Sequence, residues 1–206
     1  MSILEWGTTV HIRRFLLLTV AAAAGLHGQA VSVVRANSFE IGPFIGASHG
    51  LDSFRVMGGG NVTYALNKYI LPYVEYSYFP GIPKQQVSGD TTFRYTIPIS
   101  DIHAGVHIRM PIFREKPLVP YGVFGAGGLV TGTIDGTASF PTAGGIVTRK
   151  ISAPGTTAAS INGGGGLRYY LGQRYGMRVE AKVYKGYGDI DQTFYKVEFG
   201  FFFQLR

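Results

Sequence analysis

The final stretch, Thr193-Phe194-Tyr195-Lys196-Val197-Glu198-Phe199-Gly200-Phe201-Phe202-Phe203-Gln204-Leu205-Arg206, constrains the fold more than any other. With a period of two it puts Tyr195, Val197, Phe199, Phe201, Phe203 and Leu205 on one face and Lys196, Glu198, Gly200, Gln204 and Arg206 on the other; only Phe202 breaks the second set. On an open sheet in water, such an unbroken file of large apolar side chains is an aggregation hazard. In hydrocarbon it is what the solvent requires. No window of the chain approaches the roughly 18 to 20 apolar residues of a membrane-spanning helix. A chain like this crosses a bilayer only as a closed barrel, which satisfies every backbone group in lipid. A soluble β-barrel with an apolar edge is the alternative.

One domain is expected for 206 residues, and 30 glycines, 14% aromatics and only 15% charged residues suit many short strands with tight turns. The front end supplies a route. Basic His11-Ile12-Arg13-Arg14, the apolar run 15–24 and the small-residue ending Gly28-Gln29-Ala30 read as an export leader cleaved after Ala30, leaving 31–206 as the barrel domain. Its removal takes away Arg13, Arg14 and Glu5, so a formal charge of +7 becomes +6, from 17 basic and 11 acidic side chains. Export argues against nucleic acid as the counter-charge and favours anionic lipid headgroups. The absence of cysteine excludes a lipidated N-terminal Cys, disulfides and thiolate chemistry.

Eight strands are expected, near 39–48, 55–66, 70–79, 94–112, 119–131, 157–171, 177–184 and 193–206, with Pro43 weakening the first. The faces of 119–131 are ambiguous, because both phases hold apolar residues and glycine. The segments 80–92 and 132–155 are rich in Gly, Pro, Ser and Thr and read as long irregular loops. Both fall on the same end of an eight-stranded up-and-down barrel, opposite the short turns, as outer-membrane barrels require. Tyrosines suggest two interfacial girdles, with Tyr64, Tyr69, Tyr121, Tyr169, Tyr170 and Tyr175 at the inner end and Tyr76, Tyr78, Tyr184, Tyr187 and Tyr195 at the outer.

The inward phases collect Glu75, His103, His107, Arg109, Arg168, Arg178, Glu180, Lys182, Lys196 and Glu198. An eight-stranded barrel is just wide enough for side chains to fill it, so these are expected to form a paired polar core and not a water channel. Setting Lys182 opposite Lys196 and Glu180 opposite Glu198 would juxtapose like charges. The expected register therefore slides by two, Lys182 facing Glu198 across a turn at 188–192, with the two side chains within about 6 Å.

Catalytic signals are weak. His103 and His107 point inward at i, i+4, about 13 Å apart on a strand and too far to share a metal. No metal or cofactor is expected. His49 beside Ser48 at a loop start is a poor base and nucleophile pair. The run 163–166 lacks the strand-loop-helix setting of a phosphate cradle, and close packing or curvature explains it better.

Residues 198–205, Glu198-x-Gly200-x-x-Phe203-x-Leu205, resemble the terminal sorting signal of bacterial outer-membrane barrels, with Arg206 one residue past the usual apolar end. With the leader, the amphipathic strands and the stretches Leu71-Pro72-Tyr73-Val74-Glu75-Tyr76 and Val119-Pro120-Tyr121-Gly122, the chain from about residue 38 resembles the opacity-protein and OmpA-type family of outer-membrane β-barrels. That resemblance implies an all-β, eight-stranded antiparallel transmembrane barrel in the bacterial outer membrane, monomeric and non-enzymatic. It implies contact with membrane lipids, lipopolysaccharide and the barrel-assembly machinery, and a structural, adhesive or surface-interaction role carried by the outer loops. A narrow porin-like conduit, a lipid A-modifying enzyme and a soluble lipocalin-like binder are the alternatives.

Overall fold

The computed structural model describes residues 34–51, 53–81, 83–112 and 117–205; the expected leader lies outside the described residues. Twelve strands form among these, numbered in chain order. Eight of them, β1 (Ser38–Leu51), β2 (Ser53–Ala65), β3 (Ile70–Phe79), β6 (Ile99–Arg109), β7 (Leu118–Thr131), β10 (Thr157–Tyr170), β11 (Tyr175–Tyr187) and β12 (Thr193–Leu205), close an antiparallel barrel in the order β1-β12-β11-β10-β7-β6-β3-β2. Phe39 of β1 pairs with both Leu205 of β12 and Tyr64 of β2, so the two ends of the sheet meet and no barrel edge is left open. Pro43 sits within β1 opposite Gly60, its ring exposed.

Burial alternates along these strands with the expected phase. In β3 and β12 every second residue is buried in the barrel, and the residues between face outward. The outward file from Tyr195 to Leu205 runs about 33 Å along the strand, or about 25 Å along the axis at a tilt near 40°, the height of a bilayer's apolar band. In the ambiguous β7, Val119, Tyr121, Val123 and Leu129 point inward and Phe124 outward. Glycines in the wall leave room for the large interior side chains. A Cβ on Gly166 would stand 2.7 Å from the Tyr121 ring, and one on Gly176 would stand 2.4 Å from Phe202.

Three expectations are corrected. First, the segments 80–92 and 132–155 are not irregular. They carry β4 (Pro83–Ser88), β5 (Thr91–Thr96), β8 (Ile134–Thr142) and β9 (Gly145–Ala153), a second sheet in the order β4-β5-β8-β9. The expected strand over 94–112 is therefore two, interrupted at Ile97 and Pro98. Because β5 pairs with β8 as β6 pairs with β7, the second sheet continues one part of the barrel wall beyond the rim. Ile99 pairs with Thr131 and Thr96 with Asp135, so the β7–β8 side carries one extra residue at the rim, a bulge.

Second, the register of the last hairpin is the like-charge register and not the one displaced by two: Lys182 pairs with Lys196 and Glu180 with Glu198. The turn holds it there, with Gly186 N–H donating to the Gln192 carbonyl and Gly188 in the left-handed region at φ 82°. The register is tolerated because inside a barrel long side chains choose partners across the lumen as well as along the ladder: Lys196 reaches over to Asp101, and Glu180 and Glu198 share the Lys182 ammonium. Lys182 Nζ nevertheless lies 3.2 Å from Glu198 Oε2, within the expected reach. Third, Tyr121, Tyr170 and Tyr184 belong to no girdle. They are buried inside, whereas Tyr69, Tyr76, Tyr78, Tyr175, Tyr187 and Tyr195 are exposed on the outer surface.

Candidate functional site

All ten charged and histidine side chains expected inside the barrel are there, each no more than 2% exposed. They form linked groups stacked along the axis. Toward the rim that carries the second sheet, Lys196 of β12 pairs with Asp101 of β6 and donates to Ser77 Oγ of β3 at 3.1 Å. His103 lies beside them, Nε2 2.6 Å from Ser160 Oγ and Nδ1 3.6 Å from Asp101. Next comes Lys182, its ammonium 2.5 Å from Glu75, 2.6 Å from Glu180 and 3.2 Å from Glu198. Arg178 adds a second cation 3.7 Å from Glu75.

His107 connects this group to the one below. It is 3.7 Å from Glu180, stacked on Tyr73, and its Nδ1 lies 2.8 Å from Arg168 Nη2. Tyr121 donates to Glu180 at 2.6 Å. Arg168 pairs with Glu40, which also receives bonds from Gln204 at 3.1 Å and Thr63 at 3.2 Å. At the short-turn end Arg109 stands 3.6 Å from Glu40 and donates to Tyr170 Oη and to the carbonyls of Arg35 and Asn67.

Sequence reading missed three members: Glu40, Arg55 and Asp101. The signal was present. Glu40 lies between outward Phe39 and Ile41, Asp101 shares the phase of His103, and Arg55 precedes outward Val56. Arg55 donates to the carbonyls of Leu51 and Ile97, tying β2 to the link between the two sheets. The residues expected to form the terminal signal divide by face: Glu198 and Gly200 point inward, Phe203 and Leu205 outward.

Apolar layers lie at both ends of the polar interior. At the second-sheet end Phe44, Leu51, Met57, Phe79, Ile99, Leu129, Ala158, Tyr184 and Phe194 form one cluster, with Ile97 and Ile190 against it. At the short-turn end Val119, Tyr170 and Phe202 form another, with Val34 packed on it. Two constellations inside invite a chemical reading. Asp101, His103 and Ser160 resemble an acid-base-nucleophile set, but an acyl substrate would have to cross the apolar layer. The Ser160 backbone, moreover, sits in the β7–β10–β11 ladder, where strand pairing leaves no N–H pair for an oxyanion. Glu75, Glu180 and Glu198 bring carboxylate oxygens within 4.8 Å of one another, as for a cation, and the Lys182 ammonium already stands within 3.2 Å of all three.

No family model and no curated protein matches the chain. Solved structures do. A major outer membrane protein from Thermus thermophilus matches at 10% identity over 81% of this chain and 99% of its own, with a TM-score of 0.54. Neisserial surface protein A matches at 11% identity over 82% of this chain and 98% of its own, with a TM-score of 0.52. The likeness is one of fold, the closed eight-stranded barrel of outer-membrane proteins.

Proposed function

We propose that the chain is an integral barrel of the bacterial outer membrane, exported by a leader over 1–30, closed to solutes, and serving as a surface-interaction protein through its second sheet. The observation that carries this reading is a reversal of polarity along one pair of strands. In β6 and β7 the outward residues are apolar apart from Ser100 at the rim, among them Ile102, Ile108, Phe124 and Val130, and the inward ones include Asp101, His103, His107 and Arg109. Past Pro98 and the bulge at 132–134, the outward phase becomes Thr92, Arg94 and Thr96 on β5 and Asp135, Thr137 and Ser139 on β8. The inward phase becomes Phe93, Tyr95, Ile134, Ala138 and Phe140. A wall that is apolar outside only between two levels fits a bilayer that ends at the upper one.

The β4-β5-β8-β9 sheet then stands in water beyond the long-loop rim, on the outer side if the short turns face the periplasm. The apolar layers at both ends argue against a porin-like conduit. Enclosure of Ser160 and His103 argues against lipid A chemistry. Fractionation of cells expressing the full chain, with gel migration before and after boiling, tests the reading. Protein in the outer-membrane fraction that shifts on boiling is expected, with no conductance in planar bilayers. Recovery in the soluble periplasm without a shift would overturn it.

A further inference from the structure

Closing the barrel removes its strand edges, but the sheet beyond the rim keeps two. β4, which follows β3 in the chain, lies at one end, and β9, which leads down into β10, lies at the other. Among the described residues β4 pairs only with β5 and β9 only with β8, so along each outer edge alternate N–H and C=O groups have no strand beside them. The two edges are unequal. β4 is six residues long and begins with Pro83, which has no N–H to give. β9, Gly145-Ile146-Val147-Thr148-Arg149-Lys150-Ile151-Ser152-Ala153, is nine residues long without a proline, and every one of them is exposed.

The side chains of β9 set what this edge accepts. One face presents Val147, Arg149 and Ile151, and the other Ile146, Thr148, Lys150 and Ser152. Ile146 is 79% exposed. The strand carries two cations, one on each face, and no acid. Arg149 lies over the Phe140 ring at 5.9 Å, and among the described residues neither Arg149 nor Lys150 has a carboxylate partner.

We propose that the free edge of β9 takes up an extended, acidic segment of a partner protein as an additional strand of this sheet. The backbone of that segment completes the ladder, and two adjacent carboxylates on it, one for each face, stand opposite Arg149 and Lys150. The proposal rests on the surface-interaction reading above and names the kind of partner. A second copy of the chain does not fit. Two copies of one edge pair only antiparallel, and in copies that share a membrane β9 descends toward the barrel in both. Such a pair would also gather two cations from each copy and no acid. The β4 edge of a neighbour is blunted by Pro83. An anionic glycan meets the cations but has no peptide backbone to extend the ladder.

The test uses the full chain in lipid nanodiscs and a labelled peptide of the length of β9, alternating threonine and valine with two adjacent glutamates at its centre. Comparison probes are its lysine-for-glutamate counterpart, two versions N-methylated on alternate residues in opposite phases, and heparin. The glutamate peptide is expected to bind. One methylated phase caps the edge that faces β9 and should weaken binding at least tenfold, while the other caps only the far edge and should stay within about twofold. Arg149→Glu with Lys150→Glu should weaken the glutamate peptide by about tenfold or more and favour the lysine peptide instead. Arg94→Glu, on the outward face of β5, should leave binding within about twofold. Each variant must retain the heat-induced gel shift as proof of folding. Absence of binding, an equal response to the two methylated phases, or tighter binding of heparin would overturn the proposal. So would clustering of the nanodiscs without peptide, which would assign the edge to a second copy.

Adhesion of cells to an epithelial layer tests the underlying reading separately, and Arg149→Glu with Lys150→Glu should lower it. If excising 83–96 and 134–153 abolishes adhesion and the paired charge reversal does not, the edge is rejected and the surface role stands. If excision changes nothing, the surface role itself fails.

Discussion

The wall formed by β6 and β7 and its continuation in β5 and β8 share one antiparallel ladder, yet their side chains are sorted in opposite senses. Below Pro98 the outward face is apolar and the inward face charged; above it the outward face is Thr, Ser and Arg and the inward face Phe, Tyr and Ile. Backbone geometry is the same on both sides of the break, so it is the solvent outside that sets the sorting. One extra residue at the rim lets the β7–β8 side change phase without losing the pairing.

Mutations that violate the sorting in each region measure the comparison. The largest effect is expected at the centre of the barrel. Lys182→Met leaves Glu75, Glu180 and Glu198 without their shared ammonium and should cost about 3 to 5 kcal/mol of unfolding free energy, read by urea titration in lipid vesicles. Next is a charge in the proposed apolar band: Phe199→Arg should cost about 2 to 4 kcal/mol in the same assay. Gly166→Ala presses a methyl group against the Tyr121 ring, an overpacking expected to cost about 1 to 3 kcal/mol. Thr137→Arg, an equally abrupt change on the outward face above the rim, should stay within about 0.5 kcal/mol. If Phe199→Arg proved as mild as Thr137→Arg, the two regions would face the same solvent and the comparison would break.

The barrel was legible in the sequence because a period of two survives in nearly every wall strand, and because aromatic files such as Tyr195 to Leu205 have few soluble uses. The interior was legible by phase, down to the residues of the Lys182 group. The register of the last hairpin was not. The rule against like charges in opposition describes side chains held over an open sheet, whereas Lys196 here reaches across the lumen to Asp101 and Ser77. Tyr121, Tyr170 and Tyr184 were misplaced for a related reason. Position near a strand end does not tell which face a tyrosine takes, and β7 has glycine in both phases.

The second sheet was hidden by composition. Gly, Thr and Ser dominate 132–155 and suggest irregular chain, but Thr137, Ser139, Thr148 and Ser152 are the polar face of paired strands. Their alternation with Ala138, Phe140, Val147 and Ile151 is the same period of two, diluted by the turn residues at 143–144.

Single-cysteine labelling gives the most direct test of where hydrocarbon lies, since the chain contains no cysteine of its own. Val197→Cys, Phe199→Cys and Phe201→Cys carry a fluorophore on the outward face of β12, and Thr137→Cys carries it on the same face above the rim. In reconstituted bilayers the three β12 probes should be quenched by spin-labelled acyl chains and spared by aqueous iodide, with the Thr137 probe behaving in reverse. Iodide quenching at 197, 199 and 201, with no response to the acyl-chain label, would contradict the account.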